Sequence, residues 1–173
     1  HAMLQLAHEG EAGILGERQR ESMQRMPAEH ENVRMALHSA FHDPAGNRQL
    51  GLELAAAMGM YWLYAGFWRE GVTWLTTALD DPADATVIQV GRAHLALGLL
   101  LLAQGEFRSA QAPMEMAIKL LEDSADRRSL ALAYVNYGRL VNRFRAFAQG
   151  EEYLQRALDL SHALHFGFGM CAS

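Results

Sequence analysis

Apolar residues recur every three or four positions along most of this chain, as in Leu95, Leu99 and Leu102, or Leu154 and Leu158 with His162 closing the series. That spacing collects them on one side of a helix with 3.6 residues per turn. No stretch shows the two-residue alternation of a half-buried strand, so the pattern predicts an all-α chain. It predicts helices over residues 53–65, 92–104 and 107–121, with Gly105 and Glu106 as a tight turn between the last two. The aspartate-rich segments 80–84 and 122–126 are expected to be links. Aspartate there suits a helix N-cap, where a side-chain oxygen accepts an unpaired backbone N–H.

Sliding the chain along itself shows a repeat. Gly59, Gly98 and Gly138 stand 39 and then 40 positions apart, and four further columns keep step: Trp68, Phe107 and Phe147; Gly71, Ala110 and Gly150; Leu75, Met114 and Leu154; Ala78, Ala117 and Ala157. Each unit is expected to be two antiparallel helices. A glycine inside a helix costs about 1 kcal/mol relative to alanine, so three in register need a compensating contact. Close approach within each hairpin supplies one, with Leu75, Met114 and Leu154 filling the space left at Gly59, Gly98 and Gly138. Ala78, Ala117 and Ala157 would then form the contact with the next unit.

Within residues 93–117, the series Leu97-Gly98, Leu101, Gly105, Phe107, Ala110, Met114 and Ala117 resembles the tetratricopeptide repeat. The resemblance implies helical hairpins stacked into a right-handed superhelix, with the first helix of each unit lining a concave surface. Two departures stand out: Arg145 takes the place of the turn glycine, and Gly71 and Gly150 take the place of alanine. The period also exceeds the usual 34 or so residues. Such lengthened repeats resemble those in the sensor arms of bacterial signal-transducing ATPases related to the maltose-regulon activator. Glu29-His30-Glu31-Asn32-Val33-Arg34-Met35-Ala36-Leu37 resembles the helix that leads into their repeats, and Arg69-Glu70-Gly71-Val72-Thr73-Trp74-Leu75 resembles part of their first repeat. Cyclase- and kinase-linked regulators carry similar arrays. The expected organisation is a lead-in over residues 1–46, three hairpins over 47–165, and the start of a further repeat over 166–173. The chain would then be a middle segment of a longer regulator.

By register, the concave face takes Glu53, Ala56, Met60, Leu63 and Tyr64 from the first hairpin, then Arg92, Leu95, Leu99, Leu102 and Ala103 from the second. Leu132, Val135, Asn136, Arg139, Asn142 and Arg143 come from the third. Arg139, Asn142 and Arg143 fall within one turn and could engage a carboxylate or phosphate. The alternative is a solvated groove edge. Trp62 shares a column with Leu101 and Val141 and is expected in the core, with Tyr64 on another face.

Composition narrows the function classes. Half the residues are apolar and 20% are charged, which suits a folded domain and not a disordered chain. A net charge of -5 gives no general attraction for a nucleic-acid backbone. The apolar run over 95–103 contains Gly98 and is about half as long as a bilayer span requires, so no membrane partner is expected. One cysteine, Cys171, cannot form an internal disulfide, which points to a reducing, cytoplasmic setting. His30, His38 and His42 lie at helical spacing and could face a metal. Favourable placement near a helix C-terminus explains His38 and His42 without one. No phosphate-binding loop, Gly-x-Ser-x-Gly elbow or His-Glu-x-x-His run occurs. No catalytic residue, metal or cofactor is therefore expected. The expected partner is a protein, peptide or small effector in the groove, with self-association through the C-terminal end; a stand-alone adaptor and a helical metal-dependent enzyme remain as alternatives.

Overall fold

The computed structural model describes residues 2–14, 19–82 and 84–163, and among these every regular element is helical. The order is α1 (Ala2–Ile14), α2 (Gln19–His42), α3 (Arg48–Ala65), α4 (Trp68–Asp80), α5 (Val87–Ala103), α6 (Phe107–Leu121), α7 (Arg127–Arg143) and α8 (Phe147–Ala163). The chain is thus an all-α helical repeat protein, as the periodicity predicts.

Side-chain caps set where the first helix of each pair begins. Asn47 accepts from the Leu50 N–H at 2.9 Å, and Asp126 accepts from the Ser129 N–H at 3.1 Å, so the expected aspartate cap is found there. Before α5 the cap is Thr86 and not an aspartate of the 80–84 link. Thr86 accepts from the Gln89 N–H while the Gln89 side chain accepts from the Thr86 N–H, a reciprocal capping box.

The turns within hairpins share one geometry. After α5, the Glu106 N–H donates to Leu101 O and the Gly105 N–H to Leu102 O; after α7, Ala146 donates to Val141 O and Arg145 to Asn142 O. Both are Schellman closures, which need a left-handed residue at the first position past the helix. Gly105 has φ 80° and Gly66 has φ 81°, while Arg145 is forced to φ 64°. The arginine at the glycine column therefore keeps the turn but accepts a backbone conformation that costs an L-residue about 1–2 kcal/mol.

Small residues determine how closely helices approach. A Cβ on Gly98 would lie 2.8 Å from the Met114 side chain, and one on Gly138 would lie 3.0 Å from that of Leu154. Both contacts are those expected within their hairpins. Gly59 behaves differently: its added Cβ would lie 2.6 Å from the Ala96 Cβ on α5. The expected Leu75 contact is thus replaced by a close approach between successive units, because Ala96 is small enough to let α3 and α5 nearly touch. Ala78, Ala117 and Ala157 are all buried. Trp62 is fully buried, with its ring against Gly71.

Residues 1–46 were expected only to lead into the array. Here α1 packs on both α2 and α3, and α2 packs on α3, with Val33 and Leu37 of α2 fully buried. The lead-in is therefore part of the stack. The segment expected to begin a further repeat, residues 166–173, lies outside the described residues, as does Cys171.

Candidate binding face

The first helices of the pairs carry the expected groove positions, but not all of those positions are open. Ala56, Met60, Leu95 and Leu99 are buried. They belong to the core, which corrects their assignment as groove residues. The physical reason is the composition of α5: only Gln89, Arg92 and His94 interrupt its apolar and glycine residues, and a helix apolar on all sides is packed on more than one. Tyr64 is 53% exposed, and Leu63, Leu102, Ala103, Leu132, Val135 and Asn136 are half-buried, with Arg139 exposed. These form the accessible part of the expected face.

Arg92 sits at the centre of a polar network. Its guanidinium donates to Glu11 of α1 at 2.7 Å and lies 3.5 Å from Asp126, the cap of α7. Burial pushes the Glu11 carboxyl above the usual glutamate range, with Arg92 opposing the shift. Alongside, Glu53 accepts from Gln89 at 2.9 Å and lies 3.5 Å from His8. Helices α1, α3, α5 and α7 are thereby tied together near the starts of α3, α5 and α7. Sequence reasoning missed Glu11 and His8, since the repeat register does not extend to α1.

The trio Arg139, Asn142 and Arg143 does not converge. Asn142 points its side-chain oxygen at Gly150 of α8, and Arg143 lays its guanidinium 3.9 Å from the centre of the Phe107 ring. Arg139 alone remains for an anionic group. Asn136 donates one amide N–H to Leu132 O within its own helix at 2.9 Å, leaving its second N–H and its amide oxygen to offer.

The histidines separate as well. His30 is buried, 3.0 Å from a Glu70 carboxylate oxygen and edge-on to Tyr61 and Phe67. His38 and His42 are exposed, with ring centres 4.6 Å apart. Among the described residues no group of three His, Cys, Asp or Glu side chains is arranged to hold a metal ion. No described helix is long and apolar enough to cross a membrane.

At the edge formed by the hairpin turns lies a cavity of about 530 Å3. The α3–α4 turn and the start of α4 line it from one side, with Phe67, Trp68, Arg69 and Glu70, and the α5–α6 turn from the other, with Gln104 and Glu106. No family model, curated protein or solved structure matches the chain.

Proposed function

We propose that the chain is a tetratricopeptide-like binding segment of a cytoplasmic transcriptional or signalling regulator, taking a protein, peptide or small effector on the face built by α3, α5 and α7. It acts by binding and carries no catalytic centre. The observation that carries the binding role is the row of accessible side chains on consecutive first helices: Leu63 and Tyr64, then Leu102, then Leu132, Val135 and Arg139. An apolar strip ending in the exposed Arg139 suits an extended or helical segment that offers apolar anchors and a carboxylate.

The regulator context rests on the resemblance of two segments, and the contact between them supports it. His30 and Arg34 of the lead-in stretch both engage Glu70 of the first-repeat stretch. The two stretches thus serve one junction, at which a lead-in helix is fixed on the array.

Peptides selected from a displayed library against the whole chain provide the test. Val135→Glu with Arg139→Glu should reduce their binding at least tenfold with the melting temperature retained. Met116→Glu, on an exposed position of α6, should leave it unchanged. Binding that survives the first pair and is lost through Met116→Glu would refute the assignment.

A further inference from the structure

The stacking of Arg143 on Phe107 joins two consecutive hairpins, since Arg143 ends α7 and Phe107 begins α6. The ring's quadrupole attracts a cation over its face. The repeat register carries this junction back by one unit: 40 positions before Arg143 stands Ala103, and 39 before Phe107 stands Trp68. Ala103 has no side chain long enough to cover Trp68. The turn-edge cavity of about 530 Å3 opens there, with Trp68 in its wall.

Charge changes in the same sense. Glu106 lines the cavity, whereas the position 40 residues later is Ala146. The Phe107 junction carries its own guanidinium and a single acid, Glu106, at the register of Phe67; the Trp68 junction has a small residue in place of the guanidinium and two carboxylates in its wall, Glu106 and Glu70, the latter at the register of Ser109. Glu106 occupies the N-cap position of α6 but makes no side-chain capping bond, and it enters no side-chain hydrogen bond or ion pair among the described residues. Glu70, also in the wall, is already taken by Arg34 and His30. Trp68 is fixed in place by its indole N–H, which donates to Leu63 O at 2.8 Å, and an indole face binds cations better than a phenyl ring. Arg69 lines the cavity too, but its register equivalent, Arg108, directly follows Phe107 and does not prevent Arg143 from stacking.

We propose that this cavity binds a guanidinium group, laid over Trp68 as Arg143 is laid over Phe107 and paired with Glu106. The group could be brought by an arginine of a partner chain or by a small guanidino compound. The site adjoins the end of the α3–α5–α7 face, since Trp68 is bonded to Leu63 O and Ala103 directly precedes Gln104 of the wall, but a guanidinium there does not require the function proposed for that face.

The test uses the whole chain with 15N-labelled tryptophan, following the three indole N–H resonances as N-acetyl-L-arginine amide is added. A saturable shift at Trp68, larger than at Trp62 or Trp74 and absent with N-acetyl-L-norleucine amide, is the expected result. Ala103→Arg, which supplies the cation from within, should weaken binding at least tenfold without lowering the melting temperature. Glu106→Gln, an exposed change, should weaken it three- to tenfold. A Trp68 shift no larger with the arginine probe than with the norleucine probe would overturn the proposal, as would undiminished binding by Glu106→Gln and Ala103→Arg. The source is read by comparing Gly-Arg-Gly with free L-arginine: tighter binding of the tripeptide supports a partner's arginine, and equal or tighter binding of the free amino acid supports a small guanidino ligand.

Discussion

Arg34 holds Glu70 with one edge of its guanidinium, Nε donating to Oε1 at 2.8 Å and Nη2 to Oε2 at 2.7 Å. Parallel bonds of this kind fix orientation as well as adding energy, so α2 is pinned to α4 in one register. His30 approaches Oε1 from the core side.

This junction makes stability depend on pH. Hydrogen bonding by Arg34 holds the Glu70 carboxyl below the usual glutamate range. A carboxyl lowered in the folded state stabilises fully above its unfolded value, about 4.3, and loses that contribution as the pH falls through the folded value. Glu70→Gln should therefore cost on the order of 1 kcal/mol at pH 7. Denaturant titrations should show that cost shrinking toward zero as the pH is taken well below 4; a cost independent of pH would contradict the account.

Glu11 should behave in the opposite sense. Burial raises its carboxyl, so the folded state binds the proton more readily than the unfolded chain. Stability is then lost as the pH rises from the ordinary glutamate value through the raised one. Glu11→Gln should compare more favourably with the parent protein at pH 7 than at pH 4. Melting temperatures of the two proteins at both values check this, and the reverse order would show that the Arg92 pairing outweighs burial.

Arg145 offers a stabilising change. Its φ of 64° sits where Gly66 and Gly105 have 81° and 80°, and glycine adopts that region without a Cβ penalty. Arg145→Gly should add about 1 kcal/mol after the greater unfolded-state entropy of glycine is counted. For a chain of this size that is a rise of about 2–4 °C in melting temperature. A fall would mean that the arginine side chain makes a stabilising contact.

Gly98→Leu probes the packing that closes the second hairpin. The added side chain would enter space held by Met114, which already stands 2.8 Å from where the Cβ would be. Overpacking should cost about 1–3 kcal/mol. An unchanged thermal midpoint would remove close approach as the reason for glycine at this position.

Helix positions were legible where a local signal marks them. Gly105 and Glu106 stop α5 and start α6 through backbone geometry that glycine favours, and the expected 107–121 helix is found with those bounds. The contacts of Gly98 with Met114 and of Gly138 with Leu154 were legible because both partners lie within one repeat. Gly59 was not, since its neighbour Ala96 belongs to the next unit and nothing local states how closely two units stack. The candidate face was legible only in part. Periodicity groups Leu95 and Leu99 on one side of α5 but does not tell an open side from a packed one, and their burial follows from helices distant in sequence. Likewise Arg143 and Arg139 share a turn, yet only the fold brings Phe107 beneath one of them and leaves the other exposed.

The central claim, that partners are taken on the face of α3, α5 and α7, is tested most directly by photo-crosslinking. A benzophenone amino acid placed at Val135, or in a second protein at Met116, would be irradiated with the library-selected peptides bound. Crosslinks formed from Val135 and not from Met116 are the predicted result. Crosslinks from Met116 with none from Val135 would contradict the claim.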